Sequence, residues 1–333
     1  MEPHARAISK GERPVIECFM TGDDGTVKVD RPQPGCWVSI VAPTPEEREW
    51  LQTELSVMPE FLSAALDDEE RPHIDFDDDS HQTLIIVDCP FVEEEADTKS
   101  REIVQYDTHP LSFLFLPDQD MIVTVTTPRN ETIAAFSDAP RLRTINTNQR
   151  TRLFLRMMLH ISQRYQVYLR NINRQFTRSE RRLRESMRNE ELMQMLGFQN
   201  SLVYFSISLK ADETVLTRIN KGRVIRMYEE DADLLEDVSI EFRQAIEMCT
   251  IYTDILEVTT DTFSSIINNN VNQIMRRLTI ITLVLAIPTI VFSFYGMNIA
   301  QLPGMAAWWI PVTIALAACF VAGLIMWRTR TFR

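Results

Sequence analysis

The sequence predicts an α+β protein made of an N-terminal α/β domain, a long helical stalk and two C-terminal transmembrane helices. Thirteen of the 16 prolines lie in residues 1–140, among short β-branched and aromatic runs. Residues 141–287 contain no proline, which is typical of long uninterrupted helices. Residues 278–327 contain no charged side chain, as expected for segments that lie in a lipid bilayer.

Residues 1–140 alternate between strand and turn signals, and they predict the α/β domain. Runs rich in β-branched and aromatic residues predict strands at 15–19, 37–41, 83–87, 112–116 and 121–126. Two helices are predicted at 45–55 and 59–66, and each begins at a proline. The segment Pro117-Asp118-Gln119-Asp120 between the last two strands predicts a hairpin.

Composition and motifs argue against several classes of function. The formal net charge is −13, yet residues 1–140 hold 30 acidic and 10 basic side chains, whereas the remainder holds 17 and 24. The five cysteines form no C-x-x-C pair, so we expect neither a disulfide framework nor a zinc site, and we favour a reducing compartment. Neither a catalytic motif nor an apolar leader is recognisable, so the sequence predicts neither an enzyme nor a cleaved signal peptide.

Residues 141–277 predict the helical stalk. Only Gly197 and Gly222 interrupt the proline-free length, so helical hairpins are expected near these two glycines. The last helix is expected to run from about residue 231 into the membrane. Residues 141–188 carry 13 arginines opposed by Glu180 and Glu185. We interpret this basic face as docking against the acidic N-terminal domain or anionic lipid headgroups, because no nucleic-acid recognition motif accompanies it.

The charge-free segment divides into two predicted transmembrane helices, at 278–295 and 308–327, joined by a loop at 296–307. Eighteen helical residues extend about 27 Å, close to the thickness of the hydrocarbon core. Arg276 and Arg277 precede the first span, and a basic tail at 328–333 follows the second. The loop has no basic residue, so the positive-inside rule predicts a cell-membrane protein with both termini in the cytoplasm and an external loop.

One side of the first span carries hydroxyl groups. Thr279, Thr282, Thr289 and Ser293 recur at spacings of three, seven and four residues, and Ala286 fills the gap. At this spacing the five residues, which we call the hydroxyl stripe, share one side of a helix. Two interpretations stay open: residues that pack helices together in lipid, or the lining of a polar pore. Two helices cannot enclose a pore, so the second interpretation requires several copies of the chain.

The first span ends in Tyr295-Gly296-Met297-Asn298, followed by an uncharged loop and the second span. This arrangement resembles the CorA family of divalent-cation channels, whose signature is YGMN at the end of the first of two C-terminal spans. The resemblance extends upstream through Met275 and residues 269–272, 200–205 and 208–210, and covers roughly residues 190–333. It implies a CorA-like fold with a cytoplasmic N-terminal domain.

The resemblance also implies an activity and a site. The implied protein is a homopentamer in the bilayer that moves Mg²⁺, or Co²⁺ or Ni²⁺, into the cytoplasm down the membrane potential. Mg²⁺ is then substrate and regulatory ligand, with no resident cofactor and no nucleic-acid partner. Gly296, Met297 and Asn298 would form the selectivity filter, with Asn298 contacting the ion through its bound water. The implied pore-lining residues are Asn272, Met275, Leu278, Thr279, Thr282, Ala286, Thr289 and Ser293.

Two acidic clusters, at residues 67–70 and 75–79, stand in the N-terminal domain. Carboxylates bind hard cations such as Mg²⁺, but runs of acidic residues are more often solvated loops. In the resembled family, acids between neighbouring subunits bind Mg²⁺ and hold the channel shut. The sequence does not identify which acids would do so here, and Gln244 stands where such a sensor carboxylate is expected.

Two alternatives stay open. The external loop contains Ala300-Gln301-Leu302-Pro303-Gly304 and lacks the acid that many relatives carry. A Pro-Gly loop is also similar to the zinc-transporting branch of the superfamily, so a Zn²⁺ transporter, with or without coupling to protons, is the first alternative. Met297 favours the magnesium branch. The second is a two-pass membrane-anchored sensor or scaffold without ion flux, which has no need for a hydroxyl stripe that ends in YGMN.

Overall fold

A computed structural model of the chain describes residues 15–23, 25–93, 105–142, 144–186, 189–222, 224–297 and 309–328. The chain divides into two compact units, residues 1–257 and 258–333. The strands are β1 (Val15–Gly22), β2 (Gly25–Val29), β3 (Trp37–Val41), β4 (His73–Phe76), β5 (Thr83–Glu93), β6 (Gln105–Leu116) and β7 (Met121–Thr126). The helices are α1 (Pro45–Thr53), α2 (Pro59–Ala65), α3 (Glu131–Ser137), α4 (Ala139–Leu142), α5 (Arg150–Ser186), α6 (Asn189–Asn220), α7 (Glu229–Tyr295) and α8 (Trp309–Arg328).

The strands form one sheet in the order β2-β1-β3-β7-β6-β5-β4. Neighbouring strands are antiparallel except β3 and β7, which are parallel. The predicted hairpin joins β6 to β7, with Leu116 opposite Met121. The mixture of this sheet with long helices confirms the predicted α+β class.

Helices cover both faces of the sheet in the first unit. On one face, Leu51 of α1 and Leu62 of α2 belong to the same buried cluster as Leu114 and Val123 of the central strands. Side chains of neighbouring strand residues point to opposite faces, so Phe113 lies on the other face, where its ring centroid is 4.9 Å from that of Phe154 in α5. Because both faces are covered, β7 has no exposed residue and reads as a nearly continuous apolar run.

The sheet is larger than the sequence predicts. The five predicted strands omit β2 and β4, which are the two edge strands. β2 is short, and Val27 in it is 54% exposed, so no buried alternation marks it. β4 contains part of the second acidic cluster, and charged residues on an edge strand discourage pairing with other chains.

The prediction that Gly197 marks a helical hairpin is wrong. Gly197 lies inside α6, where its carbonyl accepts a hydrogen bond of 3.0 Å from the Ser201 hydroxyl, and Met195 and Phe198 beside it are buried. Packing therefore outweighs the cost of about 1 kcal/mol that a glycine imposes on a helix interior. Gly222 does lie between α6 and α7, and its φ of +87° is a conformation that glycine adopts without strain.

The second unit contains the apolar part of α7 together with α8. Among the described residues, α7 is the one helix long and apolar enough to cross a membrane, and a shorter apolar stretch lies at Trp309–Leu324 in α8. Pro288 lies inside α7 and has no N–H to donate to the carbonyl of Val284. The Cys319 thiol of α8 lies 3.8 Å from that carbonyl oxygen and donates to it. The neighbouring helix thus satisfies the group that the proline leaves unpaired, as a lipid environment requires.

Replacement of Cys319 tests this contact. We expect Cys319→Val to lower stability by about 1 kcal/mol, because the Val284 carbonyl then loses its donor. Cys319→Ser is the matched control, since it retains a donor of similar size. Thermal unfolding of the detergent-solubilised protein measures both, and equal melting temperatures for the two variants would contradict the assignment.

Candidate functional site

The two sides of α7 in the second unit differ in what they contact. Most of the half-buried residues in its apolar part recur every three or four positions and share one side of the helix: Ile280, Val284, Ile287, Val291 and Tyr295. Cys319 contacts Val284 on this side, which therefore faces α8. At 100° per residue, the hydroxyl stripe lies about 180° away from it. The stripe is therefore directed away from the second span of the same chain.

The threonine hydroxyls of the stripe are oriented by the helix that carries them. Thr279, Thr282 and Thr289 each donate to the carbonyl four residues earlier, at 2.8, 2.9 and 3.0 Å respectively. A hydroxyl that donates in this way keeps its oxygen lone pairs as acceptors. All three side chains are exposed, and so is Ser293. The exposed side of the helix therefore presents hydrogen-bond acceptors, which are the partners that water bound to a cation needs.

The predicted filter begins where α7 ends. Helix α7 ends at Tyr295, after which the Gly296 N–H donates to the Phe292 carbonyl at 2.9 Å. The Met297 N–H donates to the Phe294 carbonyl at 3.3 Å, and Met297 is 52% exposed. A Cβ atom at residue 296 would lie 3.2 Å from the Phe292 carbonyl oxygen, which explains why a glycine fits there. Asn298, the remaining predicted filter residue, lies outside the described residues.

The other predicted pore residues lie on α7 as well. Met275 and Leu278 are each 56% exposed, and Asn272 is also exposed. Met275 and Leu278 follow the stripe toward the start of the helix, whereas Ala286 within it is half-buried. The most apolar stretch of α7 has no fully buried residue, so within a single chain this surface is left for lipid or other copies of the chain.

The acidic clusters form turns in the first unit. Asp77 accepts hydrogen bonds of 2.7 Å from both the backbone N–H and the hydroxyl of Ser80, and these bonds hold the pKa of its carboxyl below the usual value. The Asp67 carboxylate accepts the Glu69 N–H at 2.9 Å. In the part of the chain that the structure describes, no three His, Cys, Asp or Glu side chains are grouped to hold a metal ion. Gln244 is exposed on α7.

Part of the arginine-rich segment docks against the acidic N-terminal region, as the sequence predicts. Arg150 pairs with Asp120 at 2.7 Å, and Arg164 pairs with Glu131. Both acids belong to residues 1–140, which carry the excess of negative charge. These ion pairs therefore join the first long helix to the sheet domain.

Sequence analysis missed a buried polar contact between the sheet and α6. Ser208 of α6 donates to the Asp88 carboxylate of β5 at 2.5 Å, and Asp212 accepts the Asp88 N–H at 2.9 Å. Burial and the neighbouring carboxylate raise the pKa of Asp212 well above its usual value, and burial raises that of Asp88 to about 6. The signal in the sequence was one acid, Asp88, within an otherwise apolar run; Asp212 has charged neighbours in the sequence and carries no comparable signal.

Known proteins share both sequence and fold with this chain. The family described as CorA-like Mg²⁺ transporter protein matches residues 33–330. The cobalt/magnesium transport protein CorA of Methanocaldococcus jannaschii is 26% identical over 276 residues, which cover 80% of this chain and 81% of that protein. Its complete structure, described as a magnesium transporter, matches with a TM-score of 0.77 and 23% identity over 95% of this chain and 96% of that chain.

Two further solved structures share the fold. The full-length CmaX protein matches with a TM-score of 0.70 and 15% identity, over 97% of this chain and 100% of that one. The cytoplasmic domain of ZntB from Vibrio parahaemolyticus matches with a TM-score of 0.53 and 14% identity, over 78% of this chain and 98% of that domain. At these identities the similarity establishes the fold and leaves the substrate open.

The family match determines the broad class of function. The match includes the sheet from β3 onward, the long helices, the YGMN sequence and all of α8. The family consists of transporters rather than enzymes, and the apolar stretches of α7 and α8 agree with a membrane location. The chain therefore belongs to the CorA-like Mg²⁺ transporter family and is a membrane transporter of divalent cations.

Proposed function

We propose that the protein is a channel that carries hydrated Mg²⁺ into the cytoplasm, with the hydroxyl stripe of α7 lining its path. The observation that carries this proposal is the position of the stripe on the side of α7 opposite α8. Among the described residues, packing between the two spans of one chain does not use these hydroxyls. Thr279, Thr282 and Thr289 instead present oxygen acceptors to whatever lies on their exposed side.

A path along the stripe needs several copies of the chain. One helix cannot enclose a polar channel, and a polar surface facing lipid would be costly. Copies of α7 arranged around an axis, with α8 outside, would direct every stripe inward and expose the apolar sides to lipid. We take the assembly to be a homopentamer, as the family resemblance implies, with both termini in the cytoplasm and the YGMN loop outside.

The proposed selectivity follows from the hydration of Mg²⁺. This ion loses its water shell reluctantly, so a filter that strips the shell would be slow. Carbonyl oxygens of Gly296 and Met297 and the amide of Asn298 can instead hydrogen-bond to the first-shell waters. Met275 and Leu278 would form an apolar constriction that closes by excluding water, and Asn272 would line the cytoplasmic exit. A membrane potential of about 100 mV contributes roughly 4.6 kcal/mol to the entry of a divalent ion.

Transport of Zn²⁺ is the second candidate function, and two observations support it. The external loop has no acidic residue to concentrate cations, and the cytoplasmic domain of ZntB shares the fold. Met297 supports the magnesium branch instead. Neither proposal assigns the acids that would sense cytoplasmic Mg²⁺. A membrane-anchored sensor without ion flux would require none of the pore residues.

Asn298→Ala in proteoliposomes tests the proposal. We expect Mg²⁺ uptake to fall at least fivefold, since each subunit loses a hydrogen bond worth about 1 kcal/mol to the waters of the ion. Uptake of Mg²⁺, Co²⁺ and Zn²⁺ is measured separately by entrapped indicator dyes. Equal Mg²⁺ uptake by both proteins would contradict the filter, uptake of Zn²⁺ with protons would favour the alternative, and no uptake of any ion would favour the sensor.

Exchange of a hydroxyl for a methyl group tests the stripe. We expect Thr289→Val to lower Mg²⁺ uptake about fivefold, because its oxygen no longer accepts from the hydrated ion. Thr313→Val is the matched control, since Thr313 is exposed on α8 and likewise donates to a carbonyl of its own helix, that of Ile310 at 2.9 Å. Equal losses in both variants would assign the stripe to packing rather than to the path.

A further inference from the structure

The buried carboxyl of Asp212 lies at the contact between β5 and α6. Asp212 is 0% exposed, and its Oδ1 atom accepts the Asp88 N–H at 2.9 Å. Its Oδ2 atom is buried and has no hydrogen-bond partner among the residues that the structure describes. The Asp88 carboxylate accepts the Ser208 hydroxyl at 2.5 Å, and the Tyr165 hydroxyl donates to the Asp88 carbonyl at 3.2 Å.

Among the described residues, the charged group that acts on the Asp212 carboxyl is the acid Asp88, and no cation is paired with it. The titratable side chains that act on the pair are Cys89 of β5, Asp107 of β6 and Tyr165 of α5. The cleft that Asp88 lines also contains Asp68, Glu69, Glu70 and Arg71. Arg71 is the one cation in this set, and it stands among three other acids at the open side of Asp88.

A carboxylate in this position would be an unpaired buried charge beside a second acid. An ionised carboxyl only accepts hydrogen bonds, so Oδ2 would keep its charge without solvent or donor. A protonated carboxyl carries no charge, and its O–H becomes a donor. Burial and the charge of Asp88 both raise the pKa of Asp212 well above its usual value, in agreement with the geometry.

We propose that Asp212 is a proton-binding site that holds α6 on the sheet as a neutral acid and loosens this contact when it ionises as pH rises. The proton is the ligand, and the backbone N–H of Asp88 and the hydroxyl of Ser208 fix the two carboxyls on either side of the contact. Helix α6 leads through residues 221–228 to α7, the helix that carries the stripe. The inference uses contacts within the first unit and is independent of the transported ion.

The direction of the pH effect follows from the raised pKa. The folded protein binds this proton more tightly than the unfolded chain does, so stability is highest at acidic pH. This contribution to stability declines as pH rises through the folded-state pKa values of the pair: the pKa of Asp88 is raised to about 6, and that of Asp212 is raised well above its usual value. Other groups titrate as well, and comparison of variants at each pH removes their contribution.

Asp212→Asn tests the proposal in the full-length protein in detergent, because the amide has the shape and charge of the neutral acid. Melting temperatures are measured from about pH 5 to about pH 9. We expect the wild type to lose stability relative to the variant as pH rises, so that the difference between the two proteins is smallest at the acidic end of the range. Glu213→Gln is the matched control one residue along α6, and it should follow the wild-type curve.

Two results of this comparison would overturn the proposal. The first is an Asp212→Asn protein that is less stable than the wild type by the same amount at every pH. The second is an Asp212→Asn protein that fails to fold, because an amide should replace a neutral carboxylic acid of the same shape without loss of the fold. Hydrogen exchange in the wild type supplies an independent readout. The backbone amides of α6 should lose protection as pH rises, by more than the intrinsic increase in exchange rate explains. In the Asp88→Asn variant this loss of protection should occur at a different pH. Unchanged protection across the range would also contradict it.

Discussion

The structure depends on how the polar and apolar side chains of α7 are placed on different sides of the helix within an apolar environment. Lipid offers no hydrogen bonds, so each polar atom on this helix needs a partner in the protein or a water-filled space. The threonine hydroxyls donate to their own helix, yet their oxygens stay exposed on the side away from α8. Among the described residues of a single chain nothing covers that side, and this constraint is the basis of the proposed assembly around a polar axis.

The opposite side of α7 obeys the same constraint by a different route. Pro288 removes one backbone donor, and the thiol of Cys319 supplies a replacement from α8. The half-buried side of α8 contains the small residues Ala315, Ala318 and Ala322, which let two membrane helices approach closely. On α7, the residues that contact α8 and the residues that carry exposed hydroxyl oxygens thus lie on different sides. One helix therefore offers both a packing surface and a polar surface, which correspond to the two interpretations of the sequence.

Sequence reasoning succeeds where a local pattern carries the information. The heptad spacing predicts the stripe, and the Pro-Asp-Gln-Asp segment predicts the hairpin between β6 and β7. It fails where distant contacts decide the outcome. The edge strands β2 and β4 depend on their partners, Gly197 is held inside α6 by packing, and Asp88 and Asp212 meet across more than 120 residues of chain. The acidic clusters are conspicuous in the composition, yet the pKa of the buried acid Asp212 departs further from its usual value than that of Asp77 in the second cluster.

Reactivity of single cysteines on α7 tests the division of this helix most directly. In full-length protein in liposomes, with the five native cysteines replaced, Ser293→Cys and Val291→Cys are compared for reaction with a charged, water-soluble thiol reagent. We expect the cysteine at position 293 to react and its modification to block cation uptake, while the cysteine at 291 stays protected against α8. Reaction at 291 with protection at 293 would contradict a water-filled path along the hydroxyl stripe.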